Sequence, residues 1–133
     1  MISFDEQKCL AFARNVVGRD LYYDGWWTAI GHEIGGEIVA AVFFTLGYSE
    51  SDLEMHLVAK PGERWMTSAF ARCVFRYPFV QLGMRRVSAS AESKPFTKML
   101  KLLGFTSEGV KRKAAGGRDV MMFGMLREEC KYA

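Results

Sequence analysis

Between residues 86 and 105 the spacing of hydrophobic positions changes period. Val87 and Ala89 alternate with Ser88 and Ser90, the period of two that belongs to a half-buried strand. Phe96, Met99, Leu100 and Leu103 then recur at the i, i+3, i+4, i+7 spacing of one helix face. Ser93 stands where an N-cap belongs, Pro95 lies close to the first turn, and Gly104 stands where a left-handed residue ends a helix. The stretch reads as a strand handing over to a short helix, with a restart at Gly104-Phe105.

The same reading extends over the chain. Ser3-Phe4-Asp5-Glu6 forms a capping box, and the stripe Cys9, Leu10, Ala13, Val16, Val17 predicts a first helix ending near Gly18, with no strand ahead of it. Two β-rich runs, Trp26 to Ile30 and Glu37 to Phe44, are separated by Gly31, Gly35 and Gly36 and read as a hairpin. The second run lacks alternation, as a central strand covered on both faces does. Leu53 to Val58 is a third strand, ended by Pro61-Gly62. A long helix is predicted from about Arg64 to Leu82, with Trp65, Ala69, Phe70, Cys73, Val74 and Tyr77 near one side and a kink or break at Pro78. After the 86–105 unit, segments 105–113 and 118–126 around Ala114-Ala115-Gly116-Gly117 form a last hairpin. Strand, helix, strand, helix, strand inside an otherwise antiparallel order predicts a mixed α+β fold. It is a twisted, mostly antiparallel sheet of about six strands with helices on both faces.

Composition narrows the class. With 133 residues, 50% of them hydrophobic, the chain can bury a core as one domain spanning 1–133, and a disordered chain is excluded. Cys9, Cys73 and Cys130 lie far apart, with neither a Cys-x-x-Cys pair nor a His at ligand spacing. No disulfide framework or metal site is indicated, and a reducing cytoplasm is the expected compartment. The longest apolar run, Ile38 to Phe44, is too short to span a bilayer. The net charge is +3, much of it in Lys111-Arg112-Lys113. That cluster reads as a charged hairpin edge rather than a nucleic-acid surface.

Leu103-Gly104-Phe105 closing a helix, followed by Glu108-Gly109 in the next strand, resembles the closing half of the GCN5-related N-acetyltransferase (GNAT) family. The resemblance covers about residues 26–130. Trp65 and the tail Met125 to Cys130 resemble small phage-associated members. A family domain normally has a further strand and helix at the N-terminus, and here that N-terminal strand is expected to be abbreviated or missing, a departure from the family. The resemblance implies acetyl-coenzyme A as co-substrate, lying where the family's fourth and fifth strands splay apart, with its pyrophosphate at the N-terminus of the following helix, where unpaired N–H groups and the helix dipole favour an anion. The corresponding segment here supplies Leu57, Val58, Ala59, Gly62, Arg64, Trp65 and Met66. Against the family pattern of Gln or Arg, two residues, Gly, one residue, Gly or Ala, it aligns Ala59, Gly62 and Arg64. Arg64 or Lys60 could add direct charge for a phosphate. Ser93 takes the position at which many members use Asn to hold the pantetheine, and also suits a cap. Leu100 replaces a general-acid Tyr.

Acyl transfer to nitrogen needs an unprotonated amine and a base within reach of it. Glu54 and His56 share one face of their strand and are the preferred candidates; Glu33 and Glu92 are the alternatives. No cysteine sits in a nucleophile setting, so direct transfer in a ternary complex is expected, to a protein N-terminus, a lysine or a small amine. Tyr22, Tyr23, Trp26 and Trp27 either stack on that acceptor or pack the core. The alternative function is a GNAT-shaped binding protein without catalysis, for which Ala59, Arg64, Ser93 and Leu100 argue. The apolar last strand and the short N-terminal edge leave room for a homodimer.

Overall fold

The change of period between residues 86 and 105 is a change of element in the structure. The computed structural model describes residues 1–62 and 64–133. In chain order the elements are β1 (Ile2–Ser3), α1 (Glu6–Val17), β2 (Trp27–Ile34), β3 (Glu37–Leu46), β4 (Asp52–Ala59) and α2 (Ser68–Arg76). After a π turn over Tyr77–Gln81 come β5 (Arg86–Ala91), α3 (Lys94–Leu103), β6 (Thr106–Ala115) and β7 (Arg118–Leu126). Seven strands make one sheet in the order β1-β2-β3-β4-β5-β7-β6. Every neighbouring pair is antiparallel except β4 and β5, which are joined by the α2 crossover.

The sheet buries both faces over its centre. Alternation along β3 sends Ala41 and Phe43 toward α1, where Cys9, Leu10 and Ala13 meet them. Val42 and Phe44 point the other way, into a larger core with Phe70, Val74 and Phe75 of α2 and Leu100 and Leu103 of α3. This explains why β3 reads as unbroken hydrophobicity. Among the described residues no helix is long and apolar enough to cross a membrane.

Three boundaries differ from the sequence expectation. A strand does precede α1: Ile2 and Ser3 pair with His32 and Gly31, adding a seventh strand to the expected six. The cap of α1 is Asp5, whose Oδ1 accepts from the Lys8 N–H at 3.1 Å, not Ser3. The long helix starts at Ser68 instead of Arg64 and gives way to the π turn around Pro78, whose missing N–H cannot continue the α-helical ladder. By contrast α3 is capped as its sequence demands: Ser93 Oγ accepts from the Phe96 N–H at 3.3 Å, and Gly104 is left-handed at φ +108°.

Candidate active site

The candidate site lies where β4 and β5 part. These strands pair only through Asp52–Arg86, Leu53–Val87 and Glu54–Ser88, although β4 runs on to Ala59 and β5 to Ala91. A polar cluster holds the closed end. The carboxylate of Asp52, 6% exposed, accepts from Ser88 Oγ at 2.7 Å and the Tyr48 N–H at 3.0 Å, and Arg86 Nε lies 3.3 Å away. Arg86 also grips Glu108, with Nη2 to Oε1 at 2.6 Å.

Register with β3 fixes which backbone groups face the open end. The Lys60 N–H donates to the Val39 carbonyl at 2.8 Å and the Gly47 N–H to the Asp52 carbonyl at 3.0 Å, so Glu54, His56 and Val58 hydrogen-bond to β3. In an antiparallel ladder the intervening residues point the other way. The N–H and C=O groups of Met55, Leu57 and Ala59 are therefore directed into the gap. Val58 is placed differently: its backbone serves β3 and its side chain, 8% exposed, belongs to the α1 core.

On the α2/α3 side, Met55 and Leu57 line a small apolar cavity of about 20 Å³ with Met66, Phe96, Met99 and Leu100. That is room for about one water. Three of these six residues are methionines, which re-pack at low cost. Next to the gap, α2 begins. Thr67 Oγ1 accepts from the Phe70 N–H at 3.1 Å and the Thr67 carbonyl from the Ala71 N–H at 2.9 Å. The N–H groups of Ser68 and Ala69 belong to the first turn, which has no intrahelical acceptors to offer. The approach to this turn is fixed by His32, 7% exposed and stacked on Phe70 at 5.1 Å. His32 Nδ1 lies 2.6 Å from the Trp65 carbonyl, and since a carbonyl only accepts, Nδ1 carries the proton. Nothing local in the sequence marks this contact, because its partners are 33 residues apart.

This helix start changes the alignment of the phosphate pattern. Gly62, at φ +82°, sits in the exposed turn after β4 and not at the helix. Aligned on Ser68, the pattern falls on Arg64-Trp65-Met66-Thr67-Ser68-Ala69, with Arg first, Ala last and Thr67 where Gly is usual. Arg64 is exposed, one residue ahead of the Trp65 carbonyl that His32 holds.

The opposite, α1 side carries the titratable groups. Glu54 and His56 share that face with Phe43, and His56 Nε2 lies 2.9 Å from Thr45 Oγ1. Burial lowers the proton affinity of His56 below its ordinary value, and the nearby Glu54 partly offsets this. Tyr23 covers the imidazole at 5.1 Å and Phe43 at 5.2 Å, and burial pushes its hydroxyl up to about 12. Beside them is an open pocket of about 260 Å³ walled by Tyr23, Asp24, Trp26, Thr45 and His56. The other sequence candidates lie elsewhere: Glu33 pairs with Lys8 of α1, Glu92 with Arg118 at 3.0 Å, and Ser93 spends its hydroxyl on the α3 cap. Leu100 is 4% exposed in the core. Among the described residues, no three His, Cys, Asp or Glu side chains are grouped to hold a metal ion.

No protein-family model matches the sequence, and no curated protein matches it. Solved structures do share the architecture. A spermidine N-acetyltransferase SpeG mutant, F149G, from Vibrio cholerae superposes with a TM-score of 0.78 at 14% identity, over 96% of this chain and 94% of that one. A dodecameric structure of spermidine N-acetyltransferase from the same organism gives 0.77 at 12% identity, over 96% and 94%. A GNAT-family acetyltransferase from Bacillus anthracis gives 0.64 at 20% identity, over 76% and 67%. The chain has the GNAT fold.

Proposed function

We propose that the protein is an acetyl-coenzyme A-dependent N-acetyltransferase that transfers the acetyl group directly to an amine. The observation that carries this reading is the splay of β4 and β5 after Glu54. It leaves the backbone groups of Met55, Leu57 and Ala59 directed into a gap beside the first turn of α2. A pantetheine arm is an extended diamide and can pair with that strand edge, as an added strand would. The N–H groups of Ser68 and Ala69 suit a pyrophosphate, with Arg64 in reach as a bidentate partner. Leu57, Ala59, Trp65 and Met66 then line the path between the two; Gly62 shapes the turn and Ser93 the facing helix end.

On the other face, His56 serves as base and Glu54 tunes it. Held neutral by its surroundings, the imidazole accepts the amine proton directly or through water. The amide N–C bond forms as the thioester C–S bond breaks, and the departing thiolate takes a proton from solvent. A backbone N–H of Met55 or Leu57, directed into the gap, can stabilise the oxyanion. The neighbours named above act on spermidine or are called acetyltransferases, which supports this chemistry, and one is dodecameric, which favours assembly here through the exposed β6 edge. The three free cysteines suit work in the cytoplasm, and Trp65 with the tail 125–130 suits a phage-associated type.

A second reading, a binding protein of the same shape, draws on Thr67 in the place of Gly and on the buried Leu100. Calorimetry with desulfo-coenzyme A separates the two. Micromolar affinity that falls about tenfold in Arg64→Ala supports the enzyme, and no heat at millimolar ligand defeats it. Binding without acetyl transfer to any of a panel of amines leaves the binding protein.

A further inference from the structure

Between the end of β4 at Ala59 and the start of α2 at Ser68, residues 60–67 bring the chain from the sheet to the helix, with Arg64 among them. Lys60 still bonds to β3 through its N–H. From Pro61 to Met66, among the described residues, one hydrogen bond ties the segment to the sheet: His32 Nδ1–H to the Trp65 carbonyl at 2.6 Å. The same carbonyl accepts from the Thr67 N–H at 3.1 Å, so both of its lone pairs are used and the chain turns tightly just ahead of the helix. Thr67 is left extended, at φ −101° and ψ 159°, as the cap. Its own N–H is consumed in the turn, and the next two donors, on Ser68 and Ala69, are left over.

The imidazole is itself held in place. His32 is 7% exposed, and its ring stacks on the fully buried Phe70 of α2, with 5.1 Å between centroids and 29° between planes. Phe70 meets the Trp65 indole edge-on at 6.4 Å. One ring therefore touches both the segment and the first turn of the helix. On the sheet, the pairing of β2 with β3 slips between His32 and Glu33. Such a bulge bends the strand and re-aims a side chain, and it stands at the residue whose ring leaves the sheet for Trp65. Packing accounts for the stack, which any aromatic ring could supply. It does not call for a donor aimed at a backbone carbonyl in the turn ahead of α2.

We propose that His32 is a positioning residue for the coenzyme: its Nδ1–H pins the turn at Trp65 and so presents the N–H groups of Ser68 and Ala69, with Arg64 beside them, to the pyrophosphate. The assignment rests on the acetyltransferase reading, and its tests separate the two. His32→Phe keeps a ring over Phe70 and removes the donor. His32→Asn puts an amide N–H₂ at the same number of bonds from Cα as Nδ1 and removes the stack, whereas His32→Leu, close to it in shape, has neither. In calorimetry with desulfo-coenzyme A, His32→Phe and His32→Leu are expected to bind about tenfold more weakly than wild type, while His32→Asn stays within about threefold. KM for acetyl-coenzyme A should rise in the same order, with kcat at saturation holding. In kcat/KM, the advantage of acetyl-coenzyme A over S-acetylpantetheine, which lacks the pyrophosphate, should shrink about tenfold in His32→Phe and His32→Leu. A role in packing alone would move both donors alike. Should His32→Phe fail to fold, the comparison of His32→Asn with His32→Leu still decides, since the two differ in the donor and not in the stack. Equal affinity in His32→Asn and His32→Leu, or an equal loss for both acetyl donors, overturns the assignment and leaves the enzymatic reading standing. No binding of desulfo-coenzyme A by the wild-type protein overturns the enzymatic reading itself, and the role of His32 with it.

Discussion

Replacing Asp52 with Ala should cost about 3 kcal/mol. The carboxylate is almost fully buried and accepts from the Ser88 hydroxyl at 2.7 Å and the Tyr48 N–H at 3.0 Å, with Arg86 Nε at 3.3 Å. Removing one partner of a buried pair costs ~3–5 kcal/mol because the other charge is left uncompensated. Here Arg86 keeps Glu108, which places the expected loss at the lower end. Gly47 sits so close that a Cβ there would lie 2.5 Å from the Asp52 carboxyl, so truncation also opens a void under the β3–β4 turn. Asn is no rescue. Its two oxygens' worth of acceptor becomes one, and the amide N–H₂ must face a donor, so Asp52→Asn should lose about 2 kcal/mol. Urea unfolding followed by circular dichroism reads this directly. With a slope of about 2 kcal/mol/M, the midpoint of Asp52→Ala should fall by about 1.5 M. A double-mutant cycle with Ser88→Ala should show coupling of about 1 kcal/mol. A loss below about 1 kcal/mol, or additive single mutants, would refute the idea that this cluster clamps the closed end of the splay.

Gly104→Ala should destabilise by about 1–2 kcal/mol through backbone strain alone, since φ is +108° while the added Cβ would meet only the Met125 methyl at ordinary contact distance; thermal unfolding checks it. Because burial lowers the His56 proton affinity, catalysis should hold at pH 7 and fall on an acid limb centred below the ordinary value of about 6.5. His56→Gln should remove that limb and lower kcat by about 10²-fold, while Glu54→Gln should move it to still lower pH. The same depression means that His56 supports folding above pH ~6.5 and that this support is lost as pH falls through the folded value. Thr67→Ala should cost about 1 kcal/mol as a lost cap, whereas Thr67→Gly should cost only a few tenths, since Gly is itself a tolerated N-cap; denaturant titration separates them.

The sequence was most legible where local signals agreed with each other. Residues 86–105 form β5 and α3 as expected because Ser93, Pro95, Gly104 and the two hydrophobic periods all point to the same boundaries. β1 was invisible because two residues cannot display alternation, and its pairing with Gly31–His32 is set by the rest of the sheet. The start of α2 at Ser68 is hidden for a related reason. The stripe beginning at Trp65 fits a helical period, but the Trp65 carbonyl is held by His32 from another strand, and Thr67 then caps the helix two residues later. That shift moved the phosphate pattern from Gly62 to Arg64–Ala69. Which groups of β4 face the gap was equally hidden, since it follows from hydrogen-bond phase with β3 and not from residue type.

The sequence treats Glu54 and His56 as equivalent, two polar residues on one face of one strand. The sheet distinguishes them. Glu54 is the last residue of β4 that pairs with β5, opposite Ser88, so the sheet is still closed beside it. His56 lies two residues, ~6.6 Å, further along, past the point of divergence and between Met55 and Leu57, two of the three residues directed into the gap. In the proposed reaction, a nitrogen approaching from the α1 side would reach an acyl group in the gap beside His56 and not beside Glu54. The environments diverge in the same sense. His56 is buried enough to stay neutral, with Nε2 engaged by Thr45, so that when Nε2–H donates to the Thr45 hydroxyl the Nδ1 lone pair is free to accept a proton. Glu54 acts on that imidazole through its charge, raising a proton affinity that burial depresses. In the proposed reaction this difference gives the base's role to His56, and Glu54 keeps its proton affinity from falling further.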